Sequence, residues 1–132
     1  MNYTLQAKSG RWLSSCERAP NGGAIREFCI ALRPCNDQPN PAGQSTIEHF
    51  FNSFDISWQA IVNALAGADG ALNAAAIEAC LEEKVYLFAP ALNGDQWHDM
   101  LILLNISLPG PTLASCIICM DAGFITHTQV QY

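Results

Sequence analysis

The chain has little charge, and positive charge is the scarcer sign. Charged residues make up 14% of its 132 residues, with six Lys and Arg against twelve Asp and Glu, so the formal net charge is −6. It has no basic run, no apolar run of the ~18 residues that a membrane span requires, and no Gly-rich phosphate loop followed by lysine. Because an acidic surface repels polyanions, we expect neither nucleic acid nor a membrane as partner.

The N-terminus lacks a basic stretch followed by an apolar core, so no secretory leader is predicted and we expect a cytosolic protein. Its cysteines could pair in a secreted chain, but in a reducing compartment we expect free and mostly buried thiols. They are Cys16, Cys29, Cys35, Cys80, Cys116 and Cys119.

The charges that are present are sorted by position. Residues 1–36 carry five cations and two carboxylates, a balance of +3, whereas the remaining 96 residues carry ten carboxylates and only Lys84, a balance of −9. So acidic a region is suited to a cationic partner. The distribution therefore indicates a binding function more than a chemical one.

The chain is long enough to bury a core as a single domain, and one stretch divides it. Residues 34–44 contain three prolines in eight positions, which predicts an irregular linker. Before it, residues 1–33 form a basic segment with strand-like patterns over 3–7 and 24–32. After it, residues 45–132 form an acidic region that contains helices and strands.

Helical periodicity is strong just after the linker. Ser45 and Glu48 fit a capping box, and apolar residues then recur at three- and four-residue steps until Gly67, with a possible break at residues 55–57. Asp69 can cap a second helix over about 71–83. Residues 84–89 alternate as a strand.

Residues 95–107 are ambiguous between two structures. A turn at Asn93 and Gly94 could lead into a strand, or Asp95 could cap a helix. We favour the helix, because Asp95 and Asp99 would lie in its first turn, where the helix dipole favours negative charge. This helix would be apolar on every side, which predicts a homodimer interface at Met100, Leu101 and Leu104.

The last third predicts two strands, over 112–120 and 124–132, joined by a turn at residues 121–123. The whole pattern predicts an α+β fold, an antiparallel sheet with helices packed on it. The segments Val85–Pro90, Met100–Ile106, Leu108–Cys116 and Met120–Ile125 together resemble the type III secretion chaperones of the Tir-chaperone family. This resemblance implies a small, acidic, cytosolic homodimer without enzymatic activity.

Catalytic and metal-binding candidates are weak. Cys116 and Cys119 have the spacing of a metal or redox motif, but the two isoleucines between them favour a strand that points the sulfurs to opposite faces. His98 and Asp99 are adjacent, and adjacent helix positions diverge by about 100°. We expect no metal, no cofactor and no catalysis.

We therefore expect a non-catalytic, acidic protein-binding protein that holds an exported effector in the cytosol. One alternative is an immunity or inhibitor protein that neutralises a basic toxin or a nucleic-acid-binding enzyme. Another is a small enzyme or metal protein that uses His98 and the cysteines. The predicted partner-binding residues are Glu82, Glu83, Asp95, Asp99, Tyr86 and Trp97.

Overall fold

The computed structural model describes residues 4–20, 23–69, 73–107 and 113–132. The strands are β1 (Gln6–Lys8), β2 (Arg11–Arg18), β3 (Arg26–Leu32), β4 (Pro34–Cys35), β5 (Gln38–Pro39), β6 (Lys84–Ala89), β7 (Ala91–Asn93), β8 (Gln96–His98), β9 (Met100–Ser107), β10 (Leu113–Asp121) and β11 (Phe124–Gln131). The helices are α1 (Pro41–Asn52), α2 (Phe54–Asp69) and α3 (Ala74–Cys80). The predicted α+β class is confirmed.

Seven strands form one sheet in the order β1-β2-β3-β6-β9-β10-β11. Every neighbouring pair is antiparallel except β3 and β6, which are parallel. A parallel pair needs a crossover connection, and the three helices supply it. They all pack on the same side of the sheet, which we call the helix face; the opposite side is the open face.

The helix face holds the main core. Alternate residues of the central strands point into it, Phe28, Ile30 and Leu32 from β3 among them, and each is at most 1% exposed. Phe28 makes edge-to-face contacts with aromatic rings of α1 and α2, the favourable geometry for aromatic pairs. The aromatic stripe after the linker is therefore core, as its helical spacing predicts.

A buried ion pair fixes α3 to this core. Arg26 is 4% exposed, and its guanidinium donates to the carbonyls of Glu78 and Leu81 at 2.8 and 3.0 Å. The guanidinium also lies 3.1 Å from the Glu78 carboxylate. That carboxylate accepts a hydrogen bond from Trp58 Nε1 at 2.7 Å. The arginine therefore satisfies carbonyl groups at the C-terminal end of α3 and holds it against β3.

The predicted linker at 34–44 is structured. Pro34 pairs with Pro39 in the short β4–β5 hairpin, whose turn places Asn36 and Asp37 at positive φ. Asn and Asp tolerate this left-handed conformation, and prolines are accepted in two-residue strands outside a central sheet. The hairpin leads directly into α1.

Helix α1 is capped five residues earlier than the capping box at Ser45 predicts. Asn40 is its cap and accepts from Gly43 N at 3.1 Å, while Pro41 stands at the first helical position, where its missing N–H costs nothing. Ser45 and Glu48 therefore lie within the helix. A Cβ on Gly43 would come within 2.5 Å of the Ala89 carbonyl oxygen, so glycine allows α1 to approach β6.

Two other helix boundaries differ from the prediction. The break between α1 and α2 falls at Ser53, not at 55–57. Helix α3 is shorter than predicted and is capped by Asn73, whose side chain accepts from Ala76 N at 2.9 Å. Asp69, the predicted cap, is instead the last residue of α2.

The predicted helix over 95–107 is wrong, since these residues form β8 and β9. Strand β9 is central, between β6 and β10. Its helix face is fully buried and its open face is partly buried, so its sequence is almost continuously apolar. Met100 and Leu104 lie in the core under the helices, and Leu101 is buried on the open face. They therefore do not form the exposed interface that the helix prediction assigned to them.

The predicted strands at 84–89 and at the C-terminus are confirmed. Strand β6 buries Val85, Leu87 and Ala89 on the helix face. The turn between β10 and β11 places Ala122 and Gly123 at positive φ, as a two-residue hairpin turn requires. The sequence pattern does not predict strand β2.

Candidate functional site

The open face is the uncovered surface of the main sheet. By register it presents Leu13 and Ser15 of β2, Cys29 and Ala31 of β3, Tyr86 and Phe88 of β6, Leu103 of β9 and Ile117 of β10. Tyr86 is 39% exposed at the centre of the sheet. An antiparallel sheet with one face in water normally presents polar residues there, so this apolar centre is a candidate contact surface.

The β7–β8 hairpin covers one end of the open face. Its residue Ala91 is buried with Leu101 and Cys119, and this second, smaller cluster contains no helix residue. The side chain of Phe88 packs against the cluster and is only partly buried. The hairpin therefore bounds the exposed part of the face.

Two neighbouring cavities lie on the exposed part. The larger is an open trough of about 920 Å³, lined by residues of β1, β2, β3 and β6. The smaller, of about 260 Å³, lies beside the hairpin and shares Arg11, Ala31 and Phe88 with the trough. Among the described residues, no carboxylate lines either cavity.

Charges of opposite sign lie at the two ends of the open face. At the end where β6 begins, Glu17 pairs with Glu27, whose N–H donates to the Glu83 carbonyl at 2.9 Å. At the other end Lys8 pairs with Arg11. Arg11 and Glu17 belong to the same strand and are ~20 Å apart at ~3.3 Å per residue. The face is therefore basic at one end, acidic at the other and neutral between them.

The basic N-terminal segment is integrated into the domain by aromatic contacts. The guanidinium carbon of Arg11 lies 5.6 Å from the Phe88 ring centre, and that of Arg33 lies 4.5 Å from the Trp97 ring. On the helix face, Arg18 lies 4.8 Å from the Phe54 ring. Such cation–π contacts stabilise by about 0.5–2 kcal/mol each.

The six predicted partner-binding residues do not form one cluster. Glu82 and Glu83 are exposed just before β6, at the acidic end. Asp95, Trp97 and Asp99 lie on or beside the β7–β8 hairpin, beyond the opposite end of β6.

The remaining predicted residue, Tyr86, lies between these two groups on the open face. Arg11 and Arg33 are not among the predicted residues, because their proximity depends on strand register.

Asp99 has a structural contact that the sequence does not suggest. Its carboxylate accepts from Ala122 N at 2.9 Å, and its own N–H donates to Asp121 Oδ1 at 3.0 Å. Asp121 Oδ2 lies 2.7 Å from His98 Nδ1 and accepts from Thr126 Oγ1 at 2.7 Å. These contacts fasten the β7–β8 hairpin to the turn between β10 and β11.

Opposing influences act on the pKa of Asp121. Burial alone would raise it, but the hydrogen bonds from His98, Thr126 and the Asp99 N–H favour the ionised form and hold the pKa below its ordinary value. An ionised Asp121 orients the His98 ring. His98 does not face Asp99, as expected, and its carboxylate partner is 23 residues away.

The His98–Asp121 pair supplies only part of a catalytic arrangement. A nucleophilic triad also needs a hydroxyl or thiol hydrogen-bonded to the second ring nitrogen. In the described part of the chain no such group bonds to His98. The pair acts as a fastening between two hairpins.

All six cysteines lie in the described residues and no disulfide bond joins them, but only Cys116 and Cys119 are buried, so the expectation of mostly buried thiols is wrong. Cys116 lies in the core under the helices and Cys119 in the cluster on the open face, so their sulfurs point to opposite faces as predicted. Burial raises the pKa of Cys16, Cys29 and Cys119 above the ordinary value. No group of three or more His, Cys, Asp or Glu that could hold a metal occurs among the described residues.

Comparison with known proteins returned no matching family model, no matching curated protein and no matching solved structure. None of the helices in the described ranges combines the length and apolar character needed to cross a membrane. No relative therefore indicates what the open face binds.

Proposed function

We propose that this protein binds another protein, without catalysis, through the open face of its sheet. The observation that carries the proposal is the apolar centre of that face, where Tyr86 is 39% exposed and Phe88 and Leu103 are only partly buried. The helices bury the larger core cluster on the other side of the sheet, whereas Phe88 and Leu103 pack only against the smaller cluster. Exposed apolar surface with a polar rim is typical of protein-binding surfaces.

Our leading form of this function is a cytosolic protein like a secretion chaperone, which holds an exported effector until it is used. The resemblance of four segments between residues 85 and 125 to that family motivates this form, although the resemblance includes a helix over residues 100–106 and that segment is a strand. An extended segment of an effector could lie along the trough, contacting apolar side chains at its centre and charged groups at its ends.

A second form has an observation of its own. Glu17, Glu27, Glu82 and Glu83 cluster at the acidic end, with Lys84 as the neighbouring cation. An immunity or inhibitor protein that blocks a basic toxin would use such a cluster to accelerate association. In that form the partner is basic and its contacts centre on Glu82 and Glu83.

The homodimer stays a prediction. Its basis is a helix apolar on every side, and that segment is instead a central strand whose Met100, Leu101 and Leu104 are buried within the single chain. Light scattering of the purified chain gives the mass directly, and twice 14.3 kDa would support the dimer.

The test of the function uses two matched variants in the native host. Tyr86→Thr removes the exposed aromatic ring from the open face and keeps a residue suited to a strand. Ile56→Thr removes an apolar side chain that is 77% exposed on α2. Tagged wild-type and variant proteins are purified, and bound proteins are quantified by mass spectrometry.

We expect a partner that binds the wild type and the Ile56→Thr variant equally but binds Tyr86→Thr at least about tenfold less, the loss of a binding hot spot. An effector among such partners supports the chaperone form, and a toxin supports the inhibitor form. Equal binding to all three proteins would refute the open face as the binding surface.

A further inference from the structure

Three cations form a row across the basic end of the open face. The register of β1 and β2 pairs Lys8 with Arg11. The register of β2 and β3 pairs Trp12 with Leu32, which places Arg33 beside Arg11 one residue further on. Like charges directly opposite each other on neighbouring strands are destabilising. The three cations of this row therefore repel one another, although the net charge of the whole chain is −6.

Nothing in the described part of the chain neutralises this row. The ion pairs found there are Arg26 with Glu78 and His98 with Asp121, and neither involves Lys8, Arg11 or Arg33. Arg11 and Arg33 lie over aromatic rings, with their guanidinium carbons 5.6 and 4.5 Å from the ring centres of Phe88 and Trp97. Neither arginine forms an ion pair in the described residues, and each guanidinium carries five N–H donors, so donors stay available for hydrogen bonds to an anion.

The two arginines share one cavity. It has a volume of about 260 Å³, and apart from Arg11 and Arg33 its lining is apolar: Ala31, Phe88, Pro90, Ala91, Leu92, Leu101 and Leu103. This is close to the smallest cavities that hold a ligand, at ~300 Å³, so it has room for one or two side chains. A ligand that fits it needs a single anionic group next to an apolar one.

We propose that this cavity receives a carboxylate and an adjoining apolar side chain from an extended segment of the partner protein. The proposal rests on the proposed function and names the chemistry of the partner. A guanidinium binds a carboxylate through two parallel N–H···O bonds, and the two arginines stand side by side. The apolar side chain beside the carboxylate fills the rest of the cavity.

A partner segment fits better than two other occupants. A polyanion such as nucleic acid would also meet the acidic end of the face, ~20 Å away, and be repelled there. A second copy brings its own net charge of −6. An extended segment needs only one acidic residue beside an apolar one, and basic residues further along it would meet Glu17 and Glu27.

The test uses a defined probe and a matched control. The probe is the capped peptide acetyl-Leu-Glu-Phe-Leu-amide, and its counterpart carries Gln instead of Glu. Binding to ¹⁵N-labelled protein is followed by NMR, including the side-chain N–H signals of arginine. The variants are Arg33→Gln and Arg11→Gln; the control is Arg18→Gln, which removes a guanidinium stacked on a ring of the helix face.

We expect the Glu peptide to shift signals of Arg11, Arg33 and Leu103, and the Gln peptide to bind about tenfold or more weakly, as loss of a charge-assisted hydrogen bond predicts. Arg33→Gln and Arg11→Gln should each weaken binding of the Glu peptide by a similar factor, whereas Arg18→Gln should leave it unchanged. The amide spectrum of each variant reports its fold, and the exposed Arg11 provides a second test if Arg33→Gln unfolds.

Several outcomes would overturn the inference. Equal binding of the two peptides would exclude carboxylate recognition. Hexanoate that fills the cavity and displaces the Glu peptide would identify a free fatty acid as ligand, and tighter binding of inorganic phosphate would identify a phosphate site. A dimer that Arg33→Gln dissociates would place a second copy in the cavity.

Carboxylate binding in the cavity and partner binding by the open face can be refuted independently of each other. If Tyr86→Thr loses the captured partner and Arg33→Gln keeps it, the open face binds the partner but the cavity does not receive its carboxylate. If both variants keep the partner, the face is the wrong surface.

Discussion

The two faces of the sheet are made from alternate residues of the same strands, yet they differ in what they bury. On β9, Ile102 and Leu104 are at most 2% exposed under the helices. Their neighbour Leu103 is only partly buried on the open face. Because side chains alternate along a strand, one sequence can serve stability on one side and recognition on the other.

The pairing of the arginines follows their burial. On the helix face Arg26 is almost completely buried and satisfies carbonyl groups of α3 together with Glu78. On the open face Arg11 and Arg33 have aromatic contacts but no carboxylate partner in the described residues. Arg18, on the helix face, likewise has aromatic contacts and no carboxylate partner there. The almost completely buried arginine is therefore the paired one, and Arg11 and Arg33 stay available to a ligand.

The largest contrast is expected between two adjacent leucines. Leu104→Ala should lower the free energy of unfolding by about 3 kcal/mol, because it leaves a cavity in the core. Leu103→Ala should lower it by about 1 kcal/mol or less, since this side chain is only partly buried. Chemical denaturation of both variants measures the difference. Equal losses in the free energy of unfolding would mean that the two faces contribute equally to stability.

A smaller effect is expected at the buried ion pair. Glu78→Gln leaves the Arg26 charge without its carboxylate but with its carbonyl partners, so we expect a loss of about 1–2 kcal/mol. The matched control is Glu82→Gln, since Glu82 is exposed at the acidic end and should cost less than about 0.5 kcal/mol. A loss at Glu82 equal to that at Glu78 would contradict a structural division between the faces.

The sequence predicts an element well where its local pattern and its surroundings agree. Strand β6 alternates cleanly and lies in a sheet with two distinct faces, so its limits are predicted to the residue. Strand β2 has few apolar residues, and its pattern does not indicate a strand. Strand β9 is buried on its helix face and partly buried on its open face, and a continuous apolar run does not distinguish a central strand from a buried helix.

The candidate site depends on contacts that no local pattern contains. Lys8, Arg11 and Arg33 come together only through the register of three strands. His98 finds Asp121 rather than its neighbour Asp99, because β8 folds back towards the end of β10. The charge sorting along the sequence does identify the basic segment as distinct, but not that Lys8, Arg11 and Arg33 meet at one end of the open face.

The smallest expected effect concerns the hairpin that bounds the open face. The lowered pKa of Asp121 means that its ionised form stabilises the folded state, in full above the ordinary value of 3.8 and progressively less as the pH falls through the lowered pKa. Protonation weakens the hydrogen bonds that Asp121 accepts from His98, Thr126 and the Asp99 N–H. Lowering the pH from 6 to well below 3.8, until Asp121 is protonated, should therefore loosen the hairpin before it affects the core.

NMR can separate these two responses, because Trp97 lies on the hairpin and Ile102 in the core. In the wild type, acid should shift the indole N–H signal of Trp97 while the δ1-methyl signal of Ile102 stays in place. Asp121→Asn should already show the shifted Trp97 signal at pH 6 and lose the acid response, whereas Asp95→Asn, at the exposed hairpin turn, should keep it. If Ile102 shifts together with Trp97, the hairpin and the core unfold as one unit, and the open face has no independently stabilised boundary.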